Sequence, residues 1–411
     1  MAPRQDAAMM RRMMFAPALA LATTPLSGSV SAPWPVAAAA AGATAAAQAR
    51  CAAEGTVVQG GKVMDARIYR AMTGFAAQGG TTGGLGRTRF VVTRADDPQG
   101  KGAPGTLRDA AARAAAAGGG WIAFAPALAG KTITLTAPLR LGSNITVDGG
   151  CAAPMVTGQF RGSLVYLAGS RNVVMTRLSL QHAGPGTQGD CITVSHGADR
   201  IWLAYMRLRQ CHDGLIDVTR DGNPGAMRVT ISNNQFLDHD KAMLIVGGPV
   251  GPSCALSSNP VQVTVYRNMF LRTGQRHPRV SGDAFVDLAQ NVVAFSPRQR
   301  AGGQTGGAYG TLATNGARVL IDGTAYVPPA GKKHYRIASN RAGNEDKASD
   351  ARCSQGELEW EGSRPAGQAI TAATGPAKLA RMRPYRLPDL GTRAAPAMIR
   401  DLETRTGPSG I

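Results

Sequence analysis

Short runs of alternating apolar and polar residues recur through the middle of the chain, and each is followed by a polar, turn-rich segment. The runs align at one shared apolar position. That position is held in turn by Ile145, Val173, Ile201, Val229, Val263 and Val286, at steps of 28, 28, 28, 34 and 23 residues. Alternation with a period of two is typical of β-strands, and a unit that cannot bury its own apolar face must stack on its neighbours. The pattern therefore predicts a β-solenoid, with a coil for each run.

Polar and aromatic positions inside the runs support the same register. Asn234 and Asn268 occupy the same place in successive units, and Phe236 and Phe270 follow two residues later. We expect both pairs to stack inside the coils. An antiparallel β-sandwich would instead need strands about every 8 to 12 residues with hairpin signals between them. Such signals are absent from the sequence.

The segment before the runs predicts a terminal cap. Thr106 is placed to cap a helix from Leu107 to Ala117, which the glycines at 118–120 end. We expect this helix to cover one open end of the stack, as terminal caps do in repeat folds. The glycine-rich segment 74–86 predicts neither a helix nor a strand, and it lacks the GK[ST] sequence of a phosphate-binding loop.

The chain is strongly basic. Its 45 Lys and Arg against 26 Asp and Glu give a net charge of +19. This excess favours a polyanionic partner, and nucleic acid, an acidic membrane and an acidic polysaccharide all satisfy it. The six cysteines are scattered with no CxxC pair, which argues against a structural zinc site and leaves fifteen disulfide connectivities open.

The ends of the chain differ from its middle. Residues 9–22, MMRRMMFAPALALA, combine an arginine pair with an apolar run about half as long as the roughly 20 residues that a membrane span needs. We therefore predict an export signal over 1–32 and a low-complexity linker over 33–50. The solenoid is expected over 51–327, and an irregular flap with a basic tail over 328–411.

Acidic residues cluster at one level of the predicted stack. Asp213 and Asp217 follow Asp190 by 23 and 27 residues, which is close to one coil. Stacking one coil on the next should bring the three carboxylates within reach of one ion. Hard oxygen ligands that are open to solvent suit Ca²⁺.

Four motifs carry a family resemblance. They are GFAAQGGTTGGLG at 74–86, DGLIDVT at 213–219, VTISNNQFLDHDKAML at 229–244 and QRHPRV at 275–280. In order and spacing they resemble the pectate lyases of the parallel β-helix type, over roughly residues 51 to 325. The resemblance implies an all-β fold, a single-stranded right-handed parallel β-helix with an N-terminal capping helix.

The resemblance also implies an activity. It is that of a secreted, calcium-dependent pectate lyase, which cleaves de-esterified polygalacturonate by β-elimination and gives 4,5-unsaturated oligogalacturonates. At the matching positions, Asp190, Asp213 and Asp217 would hold the catalytic Ca²⁺. Lys241 would contact the substrate carboxylate and stabilise the enolate, and Arg276 would be the base. An arginine is ordinarily protonated, so that role requires alkaline conditions. Arg279 would bind a substrate carboxylate at a neighbouring subsite.

The sequence departs from the family pattern at three places, and two of them, Ser281 and Tyr205, leave a second function open. Gln188 stands where a further acid is common, and Ser281 stands where the RxPxxR motif ends in arginine. The usual WIDH sequence is Trp202-Leu203-Ala204-Tyr205, which lacks the acid and the histidine that we expect to support the acidic cluster. The alternative is a β-solenoid that binds acidic polysaccharide without cleaving it. A pectin lyase fits less well, because methyl-ester substrates need no calcium and the acids would have no purpose.

Further expectations concern sulfurs, histidines and partners. Cys191 and Cys211 lie one or two residues from Asp190 and Asp213, so we predict a disulfide between them. His239 and His277 are interpreted as structural. We expect a monomer, with polygalacturonate as its partner and with neither nucleic acid nor membrane. Nucleic-acid binding would use the charge but would explain neither the acids nor the ordered motifs.

Overall fold

The aligned apolar runs form one ladder of parallel strands, called face A here. The shared positions pair in series from Ile145 to Val286, as predicted, and the ladder continues through Val319 to Leu358. Face A consists of Arg89–Val92, Gly120–Phe124, Ile145–Asp148, Arg171–Thr176, Asp199–Ala204, Met227–Ser232, Val261–Tyr266, Ala284–Ala289, Arg318–Asp322 and Glu357–Glu361. The predicted register is therefore confirmed.

The computed structural model describes only part of the chain. The described residues are 55–150, 152–223, 225–296, 309–327, 336–340, 353–361, 370–371, 379–388, 402 and 406–408. The predicted export signal and linker, together with Cys51 and Cys151, lie outside them. No helix among these described residues is long and apolar enough to cross a membrane.

Two more parallel ladders, faces B and C, share the long strand Gln235–Val246. Face B holds Thr132–Leu135, Met155–Gly158, Ser179–His182, Arg207–Cys211, the first part of Gln235–Val246, Met269–Gln275, Val292–Phe295 and Ala325–Val327. Face C holds Leu139–Arg140, Val165–Ala168, Ile192–Ser195, Gly214–Thr219, the second part of Gln235–Val246, Arg279–Ser281, Tyr309–Thr314, Arg336–Ser339 and Ile370–Thr371. Each coil thus visits all three faces, which confirms the parallel β-helix.

The space between the faces is filled by stacked side chains. Phe236 and Phe270 lie parallel with ring centroids 4.6 Å apart. The Asn234 amide donates to the Asn268 side-chain oxygen at 3.0 Å, and Asn268 donates in the same way to Asn291. Both predicted stacks are present, and Asn291 adds a third rung because it lies 23 residues after Asn268, the same step that separates the last two apolar runs.

The predicted capping helix is present over Leu107–Ala116. The Thr106 side chain accepts a hydrogen bond from the Asp109 amide and so caps the first turn. The helix buries Leu107 and three alanines, and it contacts the first two strands of face A. It therefore covers the end of the stack, as predicted.

The outer surface of face A is covered by the N-terminal segment. Thr56–Gln59 and Lys62–Ala66 form an antiparallel pair, followed by a 3₁₀-helix at Arg67–Ala71 and an α-helix at Gly74–Gln78. Other short 3₁₀-helices lie at Pro98–Gly100, Pro126–Leu128 and Ala380–Met382. The helix at Gly74–Gln78 was not predicted, because its glycines favour neither a helix nor a strand. It is held by tertiary contacts, since Thr264 and Thr230 on face A accept hydrogen bonds from the amides of Phe75 and Ala76.

The solenoid extends past the boundary predicted at residue 327. Glu357–Glu361 adds a strand to face A, and Arg336–Ser339 and Ile370–Thr371 add strands to face C. The described part of the tail is also packed on the stack: Arg383 pairs with Asp287, and Leu402 is buried beside Met269. Glu357–Glu361 alternates charged and apolar residues, whereas Arg336–Ser339 and Ile370–Thr371 are too short to show such a pattern.

Candidate functional site

The predicted acids meet at the edge of face C. Asp190 lies two residues before the strand Ile192–Ser195, and Asp213 directly precedes Gly214–Thr219, which contains Asp217. The register pairs Thr193 with Asp217, so these strands belong to neighbouring coils. The Gly214 amide donates to Asp190 Oδ1 at 2.7 Å. A Cβ on Gly214 would lie 2.4 Å from Asp217 Oδ1 and 3.0 Å from Asp190 Oδ1. Asp190 and Asp217 therefore face each other across Gly214.

Burial and mutual repulsion disfavour two charges at this point. Burial, and then the neighbouring charge of Asp190, hold the pKa of Asp217 well above its usual range. Burial also raises the pKa of Asp190, although hydrogen bonds from Gly214 and Thr193 oppose the shift. A cation bound between the two carboxylates would remove this penalty.

Asp213 stands apart from that pair. Its carboxylate is nearly half exposed and accepts a hydrogen bond from Lys241 Nζ at 2.6 Å. Partial burial would raise the pKa of Asp213, but the hydrogen bond and charge of Lys241 outweigh it and hold the pKa below its usual range. His239 Nε2 lies 2.6 Å from the Asp213 carbonyl oxygen and positions this turn.

Lys241 and the two arginines continue the same line across successive coils. Lys241 pairs in register with Gly214 on one side and Gln275 on the other. Arg276 follows Gln275 with a φ of 63°, and its carbonyl accepts from the Met243 amide. Its positive charge favours the ionised form of both Asp213 and Asp217, and at Asp217 it opposes the larger rise in pKa that burial and Asp190 cause. We call the set Asp190, Asp213, Asp217, Lys241 and Arg276 the acid column.

Arg279 lies beside the acid column. It pairs with Leu244, and Leu244 pairs with Asp217, so Arg279 is two coils from that acid. The spacing between neighbouring strands places it about 10 Å away along the stack. Arg279 therefore lies on the same face as the acid column.

The donor set is of the right chemical type for a hard cation, but it is not assembled around one point. Within the described part of the chain, no three His, Cys, Asp or Glu side chains converge closely enough to hold a metal ion together. Asp190 and Asp217 approach each other, whereas the Asp213 carboxylate is engaged by Lys241. Oxygen ligands of this kind suit Ca²⁺.

Two hydroxyl residues that orient Asp190 were not anticipated. Thr193 Oγ1 donates to Asp190 Oδ2 at 2.8 Å, and the Ser163 hydroxyl lies 3.3 Å from the same oxygen. Ser163 could have been predicted from the repeat, because it precedes Asp190 by 27 residues, which is close to one coil. Two coils before Asp217, Tyr166 carries the Arg140 guanidinium over its ring at 4.8 Å.

The residues that depart from the family pattern lie in separate parts of the structure. The Gln188 amide oxygen accepts a hydrogen bond from Arg161, and Ser281 accepts one from Asn315. Trp202 is on face A, where its Nε1 donates to Ser232 and its ring packs against Tyr69 of the N-terminal segment. The expectation that this segment supports the acids is therefore wrong, because Trp202 and Ala204 turn towards the outside of another face.

The predicted disulfide between Cys191 and Cys211 is present, with Cα atoms 5.5 Å apart. A second disulfide joins Cys254 to Cys353 and ties the tail to the loop before Val261. His277 is buried, with its ring against Phe270 and Phe295, and burial lowers its pKa to about 3. These contacts agree with a structural role.

Fold and site together define a parallel β-helix protein with a carboxylate, lysine and arginine column on one open face. No protein-family model matches the chain. Among curated proteins it is 32% identical to probable pectate lyase 6 of Arabidopsis thaliana, over 49% of this chain and 44% of the relative. It is also 32% identical to pectate lyase 1 of Chamaecyparis obtusa, over 48% of this chain and 53% of the relative. The chain spans about half the length of the curated relatives it matches.

Solved structures give the same fold. The cedar pollen major allergen jun a 1 matches with a TM-score of 0.55 and 23% identity, over 82% of this chain and 92% of that one. A pectate lyase from Paenibacillus sp. 0602 matches with a TM-score of 0.53 and 14% identity, over 83% and 96%. In sequence the chain is thus similar to pectate lyases, and in fold it is similar to solved parallel β-helix structures.

Proposed function

We propose that this protein is a secreted, calcium-dependent pectate lyase. It would cleave de-esterified polygalacturonate by β-elimination and release 4,5-unsaturated oligogalacturonates. The observation that carries the proposal is the acid column, in which two facing carboxylates, a lysine held by a third acid and an arginine line one open face. Pectate lyase relatives favour the same reaction class.

Asp190, Asp213 and Asp217 would hold the calcium ion. Burial and the nearby charge of Asp190, which together raise the pKa of Asp217, favour a cation at this point. When bound, calcium would engage the uronate carboxylate and acidify the neighbouring C5 proton. Asp213 adds a third hard oxygen ligand at the rim.

Lys241 and Arg276 would perform the remaining steps. Lys241 is a half-buried cation at the rim and would donate to the substrate carboxylate as negative charge builds on it during elimination. Arg276 would take the C5 proton. Its Nε is buried and makes no hydrogen bond among the described residues, which leaves this donor available to a substrate. Arg279 would hold the carboxylate of another sugar unit through paired hydrogen bonds.

Export is part of the proposal. The arginine pair and short apolar run at 9–22 are typical of a signal peptide, and two disulfides are typical of an oxidising compartment. The partner would be polygalacturonate, and the active form would be a monomer.

A non-catalytic binder of acidic polysaccharide is the second candidate. The engagement of Asp213 by Lys241 and the absence of three converging ligands among the described residues favour it. A binder would still use Arg279, Lys241 and the overall charge.

One experiment separates the two. Purified protein is incubated with polygalacturonate, with and without a calcium chelator, and the ultraviolet absorbance of the unsaturated product is followed. A lyase gives absorbance that the chelator abolishes, and the rate climbs towards alkaline pH if an arginine is the base. Arg276→Lys keeps the charge, so turnover should fall by several orders of magnitude while binding changes by about 1 kcal/mol. No product at any pH would establish the binder instead.

A further inference from the structure

An exposed arginine lies on face C, on the side of the acid column away from Arg279. Arg140 pairs in register with Tyr166, and Tyr166 pairs with Thr193. Thr193 in turn pairs with Asp217. Residues paired across parallel strands point to the same side of the sheet, so these positions form one row along the stack. Three strand spacings place Arg140 about 14 Å from Asp217.

The guanidinium of Arg140 is exposed to solvent but held in position. Its Cζ lies over the ring of Tyr166, 4.8 Å from the ring centroid. The ring is itself anchored, because the Tyr166 hydroxyl accepts a hydrogen bond from the Ser163 amide at 2.9 Å. A guanidinium that is already stacked on a ring loses less freedom when it binds a ligand than a free arginine side chain does.

A second exposed arginine borders the same ring. Arg161 precedes Gly162, where a Cβ would lie 3.2 Å from the Tyr166 hydroxyl. The turn that carries Arg161 therefore packs against the ring that holds Arg140. Arg161 Nε donates to the Gln188 amide oxygen at 3.0 Å, and this neutral partner does not offset the positive charge. Two guanidinium groups at one point create a positive potential that favours an anion.

We propose that Arg140 and Arg161 form a further binding site for the substrate, which takes a uronate carboxylate about three coils from Asp217. The planar fork of arginine matches a carboxylate through two parallel hydrogen bonds. A linear polyuronate carries a carboxylate on every unit, so a chain along the row presents one to Arg140 while another unit occupies the acid column. Tyr166 is a positioning residue, since it acts by holding Arg140. The identity of the sugar as galacturonate rests on the proposed function.

This site selects stretches of free uronates rather than isolated ones. A methyl ester carries no charge, so esterification of the unit at Arg140 weakens binding even when the unit at the acid column is free. The effect falls on substrate binding alone, because Arg140 is too far from the acid column to contact the reacting atoms.

The test compares Arg140 with a matched arginine. Arg113 on the capping helix also lies over an aromatic ring, 5.2 Å from the centroid of Phe90, and its side chain is 62% exposed. Binding of polygalacturonate with calcium is measured in the Arg276→Lys background, which limits turnover. We expect Kd to rise about tenfold for Arg140→Ala, the scale of a lost charge-assisted hydrogen bond, and less than twofold for Arg113→Ala. In the otherwise wild-type chain, Arg140→Ala should raise KM by a similar factor and leave kcat within twofold.

Variants of Tyr166 test the positioning role. Tyr166→Phe keeps the ring, and its Kd should stay within twofold of the wild type. Tyr166→Ala should raise Kd, but it should add nothing in a chain that already carries Arg140→Ala, because the two side chains act as one unit. A rise that adds in full to that of Arg140→Ala would leave the ring with a structural role only and overturn the positioning role.

The remaining outcomes decide the site itself. Equal rises in Kd for Arg140→Ala and Arg113→Ala would reduce the effect to net charge and overturn the site, as would no rise in either. On a partly methyl-esterified chain, the ratio of the Kd of Arg140→Ala to that of its parent should shrink, and an unchanged ratio would exclude carboxylate recognition. If the wild type yields no unsaturated product, the proposed lyase activity fails, while the comparison of Kd values still decides the site.

Discussion

At the scale of single residues, Gly214 determines how closely the acids can approach. No side chain separates Asp190 from Asp217, and both carboxylates lie where a Cβ of residue 214 would be. Spacing along the repeat predicted that Asp190 and Asp217 would meet. It could not predict that Asp213 pairs with Lys241, because that contact depends on side-chain conformation rather than on register.

We expect Gly214→Ala to impair the acid column without unfolding the protein. The backbone at 214 is not in the left-handed region, so alanine is tolerated there except for its contact with the two carboxylates. Displacing them should lower turnover at least tenfold and raise the calcium concentration needed for half-maximal rate, measured by product absorbance.

A control is available at Gly251, where an added methyl group meets nothing within 4 Å. Gly251→Ala should retain wild-type rates. Wild-type calcium dependence in Gly214→Ala would show that the approach of Asp190 to Asp217 is not needed for activity.

His277 makes the stability of the protein sensitive to acid. Burial lowers its pKa from 6.5 to about 3, so between these values the unfolded state binds a proton that the folded state does not. The contribution of neutral His277 is therefore complete above pH 6.5 and declines as the pH falls to 3, by about 1.4 kcal/mol per unit.

His277→Gln should flatten this dependence. Glutamine cannot titrate, and it can keep a hydrogen bond to Thr273, which His277 Nε2 contacts at 2.8 Å. Urea unfolding from pH 7 to pH 4 should show a shallower loss of stability in the variant, even if the variant is less stable overall. Identical slopes in wild type and His277→Gln would contradict the prediction.

At the scale of elements, the apolar runs carried the information that matters most for the fold. The six aligned runs pair in the predicted register, and the asparagine and phenylalanine stacks follow from it. Elements held mainly by tertiary contacts were missed. The helix Gly74–Gln78 depends on two threonines more than 150 residues away, and Arg336–Ser339 pairs only because Tyr309–Thr314 is already in place.

Removing a side chain from the asparagine stack should lower the free energy of unfolding. The Asn268 side chain accepts from the Asn234 backbone and side-chain amides, and it donates to Ile231 O and to Asn291. Asn268→Ala leaves several buried polar groups unpaired, and each such group costs about 1 to 3 kcal/mol. We expect a loss of about 3 kcal/mol in the free energy of unfolding, measured in urea.

The matched control is Asn223, whose side-chain hydrogen bonds to His196 and Gly225 are exposed to solvent. Asn223→Ala should cost less than about 1 kcal/mol, since water replaces the lost partners. Similar losses in the two variants would mean that the stack contributes no more than a surface turn.

At the scale of the whole molecule, most of the covering elements among the described residues lie on face A. The N-terminal segment and the described tail lie against face A, where Phe75 and Tyr385 meet edge to face and Arg383 pairs with both Asp287 and Asp322. The acid column lies on face C. A chain of net charge +19 thus presents an acidic cluster flanked by cations on its open face, which suits a carboxylate polymer with a bound divalent ion.

Removing either of the two described disulfides should have different effects on the stability and on the activity of the protein. Cys254–Cys353 closes 99 residues and holds the late strands on the stack, whereas Cys191–Cys211 closes 20 residues and lies beside Asp190 and Asp213. In the chain-entropy description, loops of about 100 and about 15 residues contribute about 4.7 and about 3 kcal/mol. Cys254→Ala/Cys353→Ala should therefore lose the larger share of stability, yet keep its rate at room temperature because neither cysteine adjoins the acid column.

Cys191→Ala/Cys211→Ala should show the reverse order. It loses less stability, but the turns carrying Asp190 and Asp213 are no longer tied together, so the calcium requirement should rise and the rate should fall. Thermal unfolding and product absorbance, measured on both double variants and the wild type, give the two quantities independently. If both variants lost activity only in proportion to the fraction unfolded, the disulfide at the acid column would be a structural bond alone, and the position of Asp213 would be set by Lys241 and His239 instead.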